Sequence, residues 1–143
     1  MHVEQILARK GSDVVTVSPD TTVGEAARLM TERRIGAVLV RGETGVIAGI
    51  LSERDIVRGM AEAGGDCARQ PVASLMTAEV AFCDPADTID ELMEIMTERR
   101  FRHLPVMADN RLVGMISIGD VVKHRIGEIQ SEAEAMRAYI VNG

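Results

Sequence analysis

Met30-Thr31-Glu32-Arg33-Arg34 returns letter for letter as Met96-Thr97-Glu98-Arg99-Arg100. The identity sits inside a longer parallel that runs from Pro19 against Pro85 to Asp55 against Asp120. Thr22 matches Thr88, Glu25 matches Glu91, Gly49 matches Gly114 and Ser52 matches Ser117. The offset shortens by one residue beyond the helix, so the second repeat has lost a residue in a turn. A repeated unit that cannot bury its apolar face alone stacks on its twin, and one of about 60 residues buries too little surface to stand comfortably by itself. Two repeats sharing a core is the natural reading, with function sought between them.

Working outward, both repeats show the same order of elements. Val14–Val17 and Val80–Cys83 read as short strands stopped by proline, at Pro19 and Pro85. Thr22 with Glu25, and Thr88 with Glu91, have the spacing of capping boxes that open a helix. Ile89, Leu92, Met93 and Met96 then fall on one helical face, as Val23, Ala26, Ala27 and Met30 do in the first repeat. Apolar strands follow at Ala37–Val40 and Leu104–Met107, with turns at Gly42–Gly45 and Asp109–Arg111. Third strands are expected over Val46–Leu51 and Leu112–Ser117, with second helices opening at Ser52 and Ser117. Strands this continuously apolar are usually covered on both faces.

The predicted unit is β-α-β-β-α, occurring twice in an α/β (α+β) chain. Residues 1–66 form the first repeat with an N-terminal lead-in, 67–127 the second, and 128–143 a helical extension. Gly64–Pro71 reads as a linker, and Val72–Thr77 as a short helix feeding the second repeat, as Val3–Ala8 feeds the first. The last helix is expected to run past Asp120 into EIQSEAEAMRAYI. Its apolar stripe Val121, Val122, Ile126 and Ile129 predicts a homodimer with a twofold helical interface.

Composition narrows the function. Of 143 residues, 46% are apolar and 27% charged, and no run reaches the roughly 18 apolar residues of a membrane span. The opening MHVEQILARKG lacks the apolar stretch and cleavage site of a signal peptide, which predicts a cytoplasmic protein. A net charge of −6 disfavours a phosphate backbone as partner. With Phe82, Phe101 and Tyr139 as its aromatics, the chain offers no stacking platform for single strands. Cys67 and Cys83 have no metal-ligand spacing and read as free thiols. Nothing resembles a P-loop or a metal site, which disfavours a hydrolase or transferase acting on nucleotides.

The element order, the GILSERD and GMISIGD segments that end each third strand, and FRHLPV together resemble a tandem pair of CBS domains, the regulatory module named after cystathionine beta-synthase. The resemblance covers all but the final helix. It implies two repeats packed about a pseudo-twofold axis, with two clefts that take adenosine-containing ligands. AMP, ADP and ATP come first, with NAD and S-adenosylmethionine also open.

The glycine, serine and aspartate pattern has its own physical logic. A glycine late in a strand permits close backbone approach. A serine at a helix start sets a hydroxyl beside free N–H groups, and an aspartate three residues on can accept two hydrogen bonds from a vicinal diol; ribose carries that diol, and its phosphate suits a helix N-terminus. The competing reading is a capping box at Ser52–Asp55 and Ser117–Asp120, needing no ligand. Two occurrences at equivalent positions, with the family resemblance, favour the ligand.

In that family each cleft is built crosswise. Carried over, one would join Ile50, Ser52, Arg54 and Asp55 to Val80, Ala81, Phe101, Arg102 and His103. The other would join Met115, Ser117 and Asp120 to Val14, Val15, Ile35, Gly36 and Ala37. Arg54, Arg102 and His103 favour a phosphorylated ligand in the first, whereas Gly36, Ala37 and Gly119 leave the second poor in cations. No nucleophile or paired carboxylate stands near His103 in the sequence, so it reads as a phosphate contact or a packed histidine in preference to a general base or a pH switch. Cys83, beside the first cleft, reads as an inert buried thiol in preference to a redox reporter. The expected protein senses an adenine nucleotide and signals occupancy to a partner; the alternative is a constitutive scaffold with vestigial clefts.

Overall fold

The structure, a computed structural model, describes residues 1–142. The chain divides into two compact units: Val14–Val80, and a split unit made of Met1–Asp13 together with the chain from Ala81 onward.

In the Val14–Val80 unit, strand β1 (Thr16–Val17) leads to helix α2 (Val23–Arg33), β2 (Ala37–Arg41), β3 (Ile47–Ser52) and α3 (Glu53–Ala63); helix α1 (Val3–Lys10) lies in the other unit. The strands form a sheet of order β1-β2-β3, parallel between β1 and β2 and antiparallel between β2 and β3. Thr22 Oγ1 accepts from Glu25 N–H at 3.2 Å and so caps α2. Val23, Ala26 and Met30 turn inward to meet Val38, Val40 and Leu51, and Cys67, Val72 and Leu75 complete this core. Every residue from Ala37 to Val40 is buried, as the unbroken apolar run predicts.

The split unit repeats the pattern with α4 (Ile89–Arg99), β4 (His103–Ala108), β5 (Arg111–Ser117) and α5 (Ile118–Asn142), and adds α1 (Val3–Lys10). Thr88 Oγ1 caps α4 by accepting from Glu91 N–H. Val3 and Ile6 from α1 enter a core with Ile89, Leu92, Met96, Leu104, Val106 and Ile116. The β4–β5 turn is tighter than its counterpart because Asp109 and Asn110 both take positive φ, 50° and 62°, as a two-residue hairpin turn of the primed type requires.

Three expectations are corrected. The strand expected at Val80–Cys83 shrinks to a single bridge between Cys83 and Val106. In the first repeat Leu39 N–H donates to Val15 O, but the equivalent of Leu39 is Pro105, which has no N–H to offer Ala81. Gly64–Pro71 is no slack linker: Gly64–Arg69 forms a 3₁₀ helix that buries Cys67. Each lead-in segment packs with the repeat that it does not directly precede. Helix α1 belongs with the second repeat, while Val72–Ser74, a short 3₁₀ turn, belongs with the first, where Ile50 and Thr77 exchange hydrogen bonds of 3.0 and 2.9 Å.

The third concerns the outward stripe of the last helix. Val121 is 1% exposed and packs in the split unit's own core, whereas Val122, Ile126 and Ile129 are exposed. Val121 and Val122 are adjacent, about 100° apart around the helix, so they cannot share a face. Among the described residues no helix is long and apolar enough to cross a membrane.

Candidate functional site

Each second helix opens on a serine–aspartate turn, and both turns are built alike. In the Val14–Val80 unit the Ser52 N–H donates to Asp55 Oδ2 at 2.9 Å and the Ser52 hydroxyl donates to the same oxygen at 3.1 Å. Asp55 N–H lies 3.3 Å from Ser52 Oγ, closing a reciprocal capping box. Asp55 is only 5% exposed. A buried carboxylate needs partners: Arg58 Nη2 stands 3.1 Å from Oδ1, and Thr77 Oγ1 donates to Oδ1 across 3.4 Å. Arg58 also donates to Leu75 O, which ties the turn to the 3₁₀ segment.

In the split unit, Ser117 N–H donates to Asp120 Oδ2 at 2.9 Å and Asp120 N–H donates to Ser117 Oγ at 3.1 Å. Here the cation comes from far along the chain. Lys10 Nζ, in the last turn of α1, donates to Asp120 Oδ2 at 2.6 Å and to Met115 O at 2.9 Å. Burial pulls the Asp120 pKa upward, but the hydrogen bond and charge of Lys10, with the bonds from Ser117, outweigh it and hold the group below its ordinary 3.8.

The backbone sets each turn beside the second strand of its own repeat. Ala37 pairs with Ser52, and Glu53 N–H donates to Gly36 O at 3.0 Å, next to Ile35. His103 pairs with Ser117, and Ile118 N–H donates to Arg102 O at 2.8 Å. The structure therefore gathers Ile50, Ser52, Asp55, Gly36 and Ala37 in one unit, and Met115, Ser117, Asp120, Arg102 and His103 in the other. Val14, Val15 and Val80 belong to the first of these units; Ala81 and Phe101 belong to the second. Arg54 and Arg102 are exposed, and Phe101 lies under the Arg99 guanidinium, 5.1 Å from ring centroid to Cζ.

Lys10 is the residue that the sequence reading missed. It revises the view that the surroundings of Asp120 are poor in cations, since each aspartate has a basic partner: Arg58 for one, Lys10 for the other. Nothing local signals the second pairing, because the partner stands 110 positions away. Cys83 is buried, and its thiol is pushed up to about 12 by burial and by the negative charges of Asp87 and Asp84. It stays protonated at neutral pH and is a poor redox reporter. Among the described residues no cluster of three His, Cys, Asp or Glu could hold a metal ion.

Comparison with known proteins agrees with this architecture. The family model for the CBS domain matches residues 3–62 and 72–127. Among solved structures, the CBS-domain containing protein ATU1752 from Agrobacterium tumefaciens is 51% identical, with a TM-score of 0.84 over 87% of this chain and 92% of that one. The CBS domain-containing protein CBSX3, mitochondrial, of Arabidopsis thaliana is 37% identical over 87% of this chain, which spans 62% of that relative's length. More distant structures share the fold at 23% and 22% identity, with TM-scores of 0.74 and 0.79. They are PAE2072 from Pyrobaculum aerophilum complexed with AMP, covering 84% of this chain and 89% of its own, and the CBS domain pair of MJ0100 with 5-methylthioadenosine and S-adenosyl-L-methionine, covering 90% and 98%.

Proposed function

Because this chain belongs to the CBS-domain family and carries two such domains, we propose that it is a regulatory module that binds an adenosine-type ligand and passes its occupancy to a protein partner. One observation carries the reading: a buried or half-buried aspartate, oriented by its own serine at a helix N-terminus, occurs once in each repeat. In the Asp120 turn, Ser117 N–H and Lys10 both reach Oδ2, which leaves Oδ1 to accept hydroxyls of a ribose diol. Two family members with this fold carry adenosine compounds, AMP in one and S-adenosyl-L-methionine with 5-methylthioadenosine in the other. With no catalytic constellation invoked, the output is a change of shape or association, sized by the ligand's differential affinity for the two states.

A second reading has its own support. The Ser52–Asp55 box is reciprocally satisfied, and Arg58 already neutralises the carboxylate, as a scaffold with vestigial clefts would require. Calorimetry and thermal shift against AMP, ADP, ATP, NAD and S-adenosylmethionine separate the two. A ligand at 100 times its dissociation constant adds about 2.7 kcal/mol of stability, and a micromolar ligand binds with about 8 kcal/mol. Asp55→Ala and Asp120→Ala, measured singly, are each expected to weaken binding about tenfold at the site they serve, the loss of a charged hydrogen-bond acceptor. Absence of heat and of any melting shift at millimolar ligand decides for the scaffold.

A further inference from the structure

Beyond Glu128 every described residue of α5 is exposed, including Ile129, Met136, Tyr139, Ile140 and Val141. A stretch this short is marginal as an isolated helix in water, and its large apolar side chains gain nothing there. Their spacing is specific. Val122, Ile126, Ile129, Ala133, Met136 and Ile140 follow one another at alternating steps of four and three residues, the seam of a coiled coil with Ile126, Ala133 and Ile140 at a and Val122, Ile129 and Met136 at d. Seam residues on the nearer turns, Val122 and Ile126, also border a groove of about 970 Å³ between α5 and α1.

We propose that this seam pairs with the same seam of a second copy of the chain, in parallel. The flanking charges choose the orientation. In a parallel pair each g residue faces the e residue of the following heptad on the other helix. That sets Glu132 opposite Arg137 of the second copy, an attraction made twice by symmetry, and sets Arg125 opposite the neutral Gln130. In the fully overlapped antiparallel pair, e faces e and g faces g. Lys123 would then meet Arg137, and Glu132 would meet Glu132, so both flanks would repel. The proposal rests on the homodimer expectation and is independent of any ligand.

Two measurements on the full chain test it. Sedimentation equilibrium is expected to show a dimer that Glu132→Lys weakens roughly tenfold, and that Glu132→Lys combined with Arg137→Glu restores, because the attraction is rebuilt with its signs exchanged. Cysteine pairing reads orientation. Ile140→Cys is expected to give a disulfide-linked dimer on mild oxidation, since parallel a positions share a layer; the native Cys67 and Cys83 are buried and contribute little. A mixture of Val122→Cys and Ile140→Cys chains that instead crosslinks one variant to the other would overturn the parallel arrangement while leaving the dimer standing. A monomer at high micromolar concentration, or a dimer indifferent to both charge variants and silent in Ile140→Cys crosslinking, would overturn the seam itself.

Discussion

Lys10 stands with its side chain about one-third exposed, against a carboxylate exposed to 22%. Such a half-wet pair contributes no more than about 1 kcal/mol, but its sign with pH is definite. Asp120 is held below its ordinary 3.8 in the folded chain, so the stabilisation is fully present above that value and fades as pH falls through the lower folded value. Lys10→Met is therefore expected to be less stable than the parent at pH 7, and the gap should close in acid as Asp120 takes up its proton. Urea unfolding at pH 7 and pH 3 checks this; an equal gap at both would mean that lost packing, and not charge, explains the variant. The serine–aspartate turns were legible in the sequence because their bonds span three residues. The Lys10 partner was not, because ion pairing across the chain leaves no local pattern.

Among elements, the two matched glycines explain why each repeat accepts a lead-in. A Cβ on Gly49 would stand 2.8 Å from the Thr77 carbonyl oxygen and 2.7 Å from Met76 Sδ; one on Gly114 would run into Leu7. The first obstacle includes backbone already bonded to Ile50, while the second is the end of a movable side chain. Gly49→Ala is expected to cost about 1–3 kcal/mol, and Gly114→Ala less. Combining Gly114→Ala with Leu7→Ala should show favourable coupling in a double-mutant cycle. Thermal denaturation of the four variants reads these differences, and equal losses for both glycines would contradict the distinction between backbone and side chain. Most helix and strand positions followed from apolar periodicity and capping residues, as Thr22 and Thr88 illustrate. The strand at Val80–Cys83 did not, because its fate depended on Pro105 in the neighbouring strand, and the apolar run alone carries no information about the donor it must pair with.

At the scale of the whole molecule, α1 packs with elements that follow Val80 in the chain and not with those that come next to it. Deletion of residues 2–10 should therefore disturb the distant part of the sequence. Hydrogen exchange is expected to quicken around Gly114–Ser117 and the first turns of α5, where Leu7 and Lys10 make their contacts, and to stay slow in β2 and β3. Faster exchange confined to Val14–Val80 would contradict the pairing of α1 with the second repeat.

The same arrangement gives synthesis an order. On the ribosome, Val14–Val80 is complete as soon as its last residue emerges, whereas α1, made first, must wait for roughly sixty further residues, about 3–12 s at ordinary rates of translation. Through that interval Val3 and Ile6, wholly buried in the finished protein, lack the partners that cover them there. Their cover arrives with Ile116 of β5 and Val121 of α5.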